Sequence, residues 1–529
     1  RTRLARRGGL MHLAAPTIAD TLRGRHLLVT GATGFVGKVW LSHLLAHVPN
    51  IGRVTLVVRS TRQLTAAARA AELLDTSPAF RPLRETLGDG WPAWIDARVD
   101  VVDGDVTRPL CGLDEATIAS LAGSVDATLH IAGLTDFQPD PAKGLPANVD
   151  GARHVADLVS RFRHRRLLHV STCYVAGHRE GVIDEAITPG VAPSGARFDV
   201  EAELDAVRAA IAPHRNGPDR IEAARQRAAD LGWPNLYTYT KGLAEHLLAA
   251  RSDLDLTIAR PSVVECARSW PFPGWNEGLN TSGPIMWFCG TPFPHLPSTG
   301  HHPFDIVPVD AVARWLTVIL ARLLEGTARP VWQLATSDVN PATFDRIIEL
   351  TALGKRRHAA RSSASWKEKA EAWIDVRPAP FDDQGPLNPS NAERWLSDAR
   401  DVVERVSARG GALSRLFDAV VPSRRTLTKQ ARAMGQLRRM LEMYRPFIHD
   451  HHWIFRTDAI RAETARLHAA DAPFHDDLTS MCWRSYWLDV QYPGMVRWSF
   501  PLMDGRDVPL DPPSDPPLAL GRHRVQGAA

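Results

Sequence analysis

The chain has 529 residues, 44% apolar and 23% charged, which is ordinary globular usage and excludes disordered, collagen-like and coiled-coil classes. Its 63 Lys and Arg against 59 Asp and Glu leave a formal charge of +4, a near-cancellation that gives no reason to expect a nucleic-acid partner. Five cysteines, Cys111, Cys173, Cys266, Cys289 and Cys482, lie far apart without C-x-x-C spacing, which argues against a disulfide framework or zinc site and fits a reducing cytosol.

Residues 1–20 read as a flexible basic arm. Residues 1–10, RTRLARRGGL, are taken as an arm or an upstream start-site stretch, since no apolar region follows to make a targeting peptide. The longest apolar helical pattern, 311–324, is broken by Arg314 and Arg322. No membrane-spanning segment is expected, and any membrane contact would be peripheral.

From Arg25 to about Thr336, short β-branched runs alternate with helical patterns: HLLVT, RVTLVVR, RVDVV, ATLHIA, LLHVS and LTIAR are the strands. That alternation predicts an α/β fold, a doubly wound parallel (Rossmann-like) sheet with helices on both faces, placed at 21–354. Two stretches break the rhythm. Residues 177–236 carry one or two inserted helices, and 270–303, dense in Pro, Gly and aromatics, predicts a long ordered loop near a ligand site. Beyond 355 the pattern becomes helical, with candidates at 365–376, 391–408, 426–444 and 457–469. A smaller, mainly helical C-terminal domain is therefore placed at 355–529, with a Pro-rich tail from 509.

The first strand runs into Thr30-Gly31-Ala32-Thr33-Gly34-Phe35-Val36-Gly37-Lys38 and then a helix. Glycines at spacing three permit a tight turn, close approach of the backbone to a pyrophosphate, and close packing of helix on strand. Thr30, Gly31, Thr33, Gly34, Phe35, Val36 and Gly37 are thus cofactor candidates. Arg59, after the second strand, would meet a 2′-phosphate, where an NAD site usually offers a carboxylate. NADPH is the expected cofactor, with a simple solvated arginine as the alternative. Asp105, followed by Val106 at the end of the third strand, could accept the adenine amino group or be a strand-end cap.

The fifth strand delivers Ser171-Thr172-Cys173, and Tyr237-Thr238-Tyr239-Thr240-Lys241 opens a later helix. Tyr237 and Lys241, at i and i+4, share a helix face, so the ammonium can sit near the phenol and, together with an oxidised nicotinamide, lower its pKa. Tyr237 is then a general acid for a nascent alkoxide, and Thr172 a second donor to the same oxygen. Cys173 as a covalent nucleophile is disfavoured, because no base is in view for its thiol. His449-Asp450-His451-His452 reads as solvated histidines in preference to metal ligands, and no metal is expected. The basic stretch Arg424, Arg425, Lys429, Arg432, Arg438, Arg439 reads first as a solvated face. The alternatives are CoA phosphates, an acidic carrier protein or an anionic bilayer.

The order glycine turn, Ser-Thr, Y-x-x-x-K, Arg260-Pro261-Ser262 resembles the extended short-chain dehydrogenase/reductases over about 21–350. The stretches GWPNLYTYTKGLAEHLL, RPSVVECARSWPFPGWNEGLNTSGPI and HPFDIVPVDAVA resemble the alcohol-forming fatty acyl-CoA reductases, the male-sterility family, as does YRPFIHDHHWIFRTDAIRAE more loosely. The resemblance implies that Ala132 and Gly133 lie along the cofactor and that Pro261, Ser262 and Val263 lie beside the nicotinamide carboxamide. It also implies NADPH-dependent reduction of a long-chain acyl thioester, on CoA or acyl carrier protein, through an aldehyde to a primary alcohol. Trp270, Phe272, Trp275, Trp287 and Phe288 are the expected acyl-chain contacts, since bare aromatics need cover. Rival readings are a reductase that stops at the aldehyde, a sugar-nucleotide epimerase or dehydratase, and an NADP-binding module without turnover. Nothing in the sequence indicates an oligomeric state.

Overall fold

The computed structural model describes residues 16–279, 282–290, 295–362, 365–381, 389–409 and 424–508. Its strands, in chain order, are β1 (His26–Thr30), β2 (Arg53–Val58), β3 (Val99–Asp103), β4 (Ala127–His130), β5 (Arg166–Val170), β6 (Gly181–Ile183) and β7 (Asp255–Pro261). There follow β8 (Val263–Glu265), β9 (His295–Pro297), β10 (Ile306–Pro308), β11 (Val331–Leu334), β12 (Arg377–Ala379) and β13 (Trp453–Phe455).

Seven strands form one parallel sheet in the order β11-β7-β5-β4-β1-β2-β3, the doubly wound arrangement that the alternation predicts. Successive side chains point to opposite faces, so Leu27 and Val29 of β1 enter one apolar layer and Leu28 the other. The first layer is built on the helices Phe35–His47 and Val309–Glu325, through Trp40, Leu44, Leu316 and Leu320. The second rests on the helices Gly151–Ser160 and Leu236–Ala249, through Val155, Val159, Leu243 and Leu247. The chain order reverses between β1 and β4, and at such a switch point the loops leave the carboxyl edge in opposite directions and open a crevice.

The insertion carries two helices, Val200–Ile211 and Gly217–Asp230, each started by a side-chain cap, Asp199 on the Ala202 N–H and Asn216 on the Asp219 N–H. Of the C-terminal helices, Pro389–Arg409 and Arg424–Arg445 pack on each other close to the expected bounds. The one expected at 365–376 is shorter, Trp366–Glu371, and the chain beyond it is extended at β12, where Pro378 favours that conformation for Arg377. The last is Asp458–Thr464, where the Thr464 hydroxyl donates back to the Ile460 and Arg461 carbonyls. Residues 437–498 contribute Leu441, Phe447, Trp487 and Trp498 to the apolar layer that also holds β1.

A parallel pairing of β13 with β6 ties the C-terminal segment to the strand edge after Thr172. Here His451 Nδ1 lies 2.8 Å from Glu180 Oε1 and the His452 N–H donates to Glu180 Oε2 at 2.9 Å. His451 and His452 thus clasp one carboxylate, while His449 pairs with Asp450. Among the described residues no group of His, Cys, Asp and Glu is placed to hold a metal ion, and no helix is long and apolar enough to cross a membrane. In the basic stretch, Arg438 bridges Glu393 and Glu442, while the side chains of Arg424, Arg425 and Lys429 lie outside the described residues, as does the tail from 509. Of the N-terminal arm, 1–15 are likewise outside. Ile18–Leu22 is a short helix whose Ile18 N–H donates to Asp471 at 2.8 Å.

Candidate functional site

At the end of β1 the chain turns at Gly31, φ +81°, a conformation that side chains with a Cβ rarely adopt. A Cβ there would stand 2.4 Å from the Ala132 nitrogen, so Gly31 lets the turn lie directly against the end of β4. A Cβ on Gly37 would stand 2.3 Å from the Gly31 carbonyl oxygen, which holds the first turn of the helix Phe35–His47 tight against the loop. That helix begins at Gly34 without a side-chain cap, leaving its first N–H groups and the positive end of its dipole directed at the crevice. The donor set and the side-chain-free cradle fit a pyrophosphate. Thr33, Phe35 and Val36 are half-buried along the turn, and Gly34 is exposed. Thr30 turns inward: its hydroxyl pairs with His130 Nδ1 at 2.7 Å.

Beyond β2, Arg59 is exposed and lies 3.5 Å from the Asp105 carboxylate. Burial opposes ionisation of Asp105, but hydrogen bonds from Thr107 and the Arg59 charge hold its carboxyl below the usual range. The Val106 carbonyl pairs with His154 Nδ1 at 2.8 Å. The two polar candidates for the adenosine end thus stand together at the mouth of the crevice.

The helix Leu236–Ala249 starts at Asn235, whose side chain accepts the Thr238 N–H at 2.9 Å. It presents Tyr237 and Lys241 toward the end of β5. The Tyr237 hydroxyl is hydrogen-bonded to Thr172; burial pushes the phenol up to about 12, and the Thr172 contact opposes this. The Lys241 ammonium donates to the Val170 carbonyl at 2.9 Å, and its burial pushes it down to about 8. Tyr239 faces away, donating to Glu203 at 2.5 Å inside an ion pair with Arg227. Cys173 donates its thiol to the Arg260 carbonyl at 2.8 Å, and burial raises its pKa well above the ordinary range, so it is no thiolate.

Beside the catalytic candidates, Gly133 is exposed and Ala132 half-buried; a Cβ on Gly133 would stand 3.1 Å from both Lys241 Nζ and Asn148 Oδ1. Pro261 closes β7. The Ser262 N–H donates to Leu334 at 3.0 Å, and the Val263 N–H to Asp305 at 3.2 Å.

Several neighbours escape sequence reasoning. Asn148 receives the Leu134 N–H at 2.7 Å and donates to the Thr240 hydroxyl at 2.9 Å, fixing the loop after β4 against the helix of Tyr237. His130 and His169, partners across β4 and β5, are buried with ring centroids 5.1 Å apart. Burial and then the Lys241 charge push His130 down to about 3 and lower His169 as well, so a pair of neutral imidazoles lies beneath the ammonium. None of the three stands at a diagnostic spacing: the resemblance includes His130 in the stretch along the cofactor, while its pairing with His169 and the place of Asn148 follow only from strand register and loop path.

The aromatic loop packs between the glycine-turn helix and the C-terminal segment. Trp270 is buried on the helix Phe35–His47, donating to the Ser42 hydroxyl at 2.9 Å. Trp275 packs on Phe35 at 5.2 Å, and Glu277 pairs with Lys38. Phe272 neighbours Trp498 at 6.4 Å, Trp287 donates to Asp504 at 3.1 Å, and Phe288 is buried in the core. The rings next to Tyr237 are instead Phe137, at 6.4 Å, and behind it Phe447 and Tyr444, at 5.1 and 5.5 Å from Phe137.

The family described as Male sterility protein, an NAD-binding family, matches residues 29–316. The alcohol-forming fatty acyl-CoA reductase of Simmondsia chinensis is 28% identical over 366 residues, 66% of this chain and 73% of that protein. Fatty acyl-CoA reductase 8 of Arabidopsis thaliana is 26% identical over 499 residues, 90% of this chain and 97% of that protein. Among solved structures, the terminal R domain from the myxalamid PKS-NRPS biosynthetic pathway superposes with a TM-score of 0.55 at 18% identity, covering 92% of each chain, a likeness of fold. With the family match extending from β1 through the glycine turn and Y-x-x-x-K into the helix Val309–Glu325, the chain belongs to the male sterility protein family and is an NAD(P)-dependent oxidoreductase.

Proposed function

We propose that the chain reduces a long-chain fatty acyl thioester with NADPH, through the aldehyde, to a primary alcohol and a free thiol. The observation that carries this reading is the Tyr237 phenol, bonded to Thr172 beside the Lys241 ammonium and a glycine cradle, with an apolar ring at its other side. Gly31, Gly34 and Gly37 would hold the pyrophosphate, Arg59 the 2′-phosphate, and the segment 261–263 the nicotinamide. When bound, the reduced nicotinamide supplies hydride.

The residues of the chain do the rest. Tyr237 and Thr172 donate hydrogen bonds to the carbonyl oxygen as it gains negative charge, and a pair of fixed donors stabilises that charge most in the transition state. The resulting oxyanion collapses, re-forming C=O and breaking the C–S bond, so the thiolate leaves and takes a proton. In the second reduction Tyr237 gives its proton to the alkoxide, which becomes the alcohol. Lys241 places positive charge behind the phenol. Cys173 takes no part, being neutral and donating to a backbone carbonyl.

The test is NADPH oxidation over a ladder of acyl-CoA lengths with products identified. Two NADPH consumed per alcohol supports the reading; one per aldehyde would move it to a reductase that stops halfway, and no thioester-dependent oxidation would overturn it.

A further inference from the structure

The loop after β4 is fastened to the catalytic helix at its first turn, where the Tyr237 N–H donates to the Phe137 carbonyl at 3.3 Å. Phe137 and Tyr237 are each half-buried. Behind Phe137, Phe447 stacks on it at 5.1 Å and 21°, and Tyr444 meets it edge-on at 5.5 Å and 80°. Phe447 and Tyr444 are buried, and Phe447 is braced in turn by Tyr174, two residues after Thr172, at 4.9 Å. The surface that a ligand meets beside the phenol is therefore that of Phe137, and the C-terminal segment fixes its angle.

We propose, resting on the thioester reading above, that Phe137 is a specificity-determining residue that selects acyl groups unbranched next to the reacting carbonyl, with Phe447 and Tyr444 as its positioning residues. A flat ring held from behind admits a methylene chain lying along it. A substituent on the carbon next to the carbonyl must push into a ring that cannot retreat, because its far face is already packed. Hydroxyl-bearing substrates lose hydration against the ring without a partner to replace it. This apolar surface joins segments about three hundred positions apart, which is why no sequence window displays it.

The experiment compares kcat/KM for palmitoyl-CoA with that for its 2-methyl-branched counterpart in wild type, Phe137→Ala and Phe447→Leu, with the Kd for NADPH measured for each. Wild type should prefer the straight chain at least tenfold. Phe137→Ala should lower that ratio at least fivefold and Phe447→Leu should lower it less, both with NADPH affinity within twofold of wild type, a split that general loosening would not give. A ratio unchanged within twofold in Phe137→Ala overturns the proposal, whatever the fate of the buried Phe447 variant. An altered Phe137→Ala ratio beside an unaltered Phe447→Leu ratio overturns the positioning role. A wild type that oxidises NADPH with neither thioester overturns the reading beneath it, an outcome distinct from lost selectivity.

Discussion

The Lys241 ammonium, one helical turn beyond Tyr237, is bonded to the Val170 carbonyl at 2.9 Å and so anchored to the last residue of β5. Its burial brings it down to about 8, whereas the phenol, up at about 12, keeps its proton through neutral pH. In the proposed mechanism the protonated amine is the competent form, and it exists below about 8. For the free enzyme kcat/KM should accordingly fall as pH rises through about 8. Lys241→Arg, whose guanidinium does not titrate there, should lose that alkaline limb even where its rate is lower. A limb retained in Lys241→Arg would assign the titration to another group.

Tyr237→Phe removes the acid while keeping the ring. Turnover with thioester and with aldehyde should fall by about 10²–10⁴, with NADPH affinity nearly intact. Tyr239→Phe is the control, because its hydroxyl serves Glu203 and Arg227 on the other side of the helix. Its expected loss is in stability, about 1.5–3 kcal/mol for a bond to a charged group, read from the urea midpoint. The reverse pattern, activity lost at 239 and kept at 237, would refute the assignment.

How far the sequence discloses this site depends on how local each signal is. The glycine turn and the Tyr-Lys pair are legible because their geometry is set within one turn of chain, by φ at Gly31 and by helix pitch at 237 and 241. The sheet follows from strand periodicity. For the aromatic loop, composition shows that Trp270 and Trp275 need cover without showing by what; Ser42 and Phe35 of the glycine-turn helix provide part of it. Asn148, His130 and Phe137 act through the packing of segments far apart in the chain, and short-range patterns carry no information about that.

Arg59 stands exposed at the crevice mouth, 3.5 Å from Asp105. Arg59→Asp would remove a phosphate partner and set two carboxylates together there, disfavouring NADPH. The contact is worth on the order of 1.5–3 kcal/mol at full strength and less at so exposed a position, so a tenfold fall in the NADPH/NADH ratio of kcat/KM is expected. A ratio that does not move assigns the 2′-phosphate elsewhere.

Glu265, at the end of β8, is fully buried; its carboxylate accepts the Ser282 N–H at 2.9 Å and Gln491 Nε2 at 2.8 Å. Burial raises it from the ordinary 4.5 to about 7, against the pull of those bonds. The folded chain thus holds this proton more tightly than the unfolded one. The stabilisation is complete below about 4.5 and lost as pH climbs through about 7, a change of up to roughly 3 kcal/mol. Urea midpoints should decline between pH 5 and 8 more steeply in wild type than in Glu265→Gln. Parallel profiles would mean that Glu265 does not titrate in that window.

The pairing of β13 with β6 bears on the time course of folding. The clasp of His451 on Glu180 closes across 271 positions, and such distant contacts come at a high loop-closure entropy, so they form slowly and late. During synthesis the glycine turn and the Tyr-Lys helix emerge long before residues 444–455. A nascent chain can therefore possess its dinucleotide cradle and its acid while the rings behind Phe137 are still inside the ribosome or unplaced. Under the proposal made for Phe137, selectivity would be the last property acquired, and a slow phase in refolding should be visible in recovery of the straight-chain preference after NADPH binding has already returned.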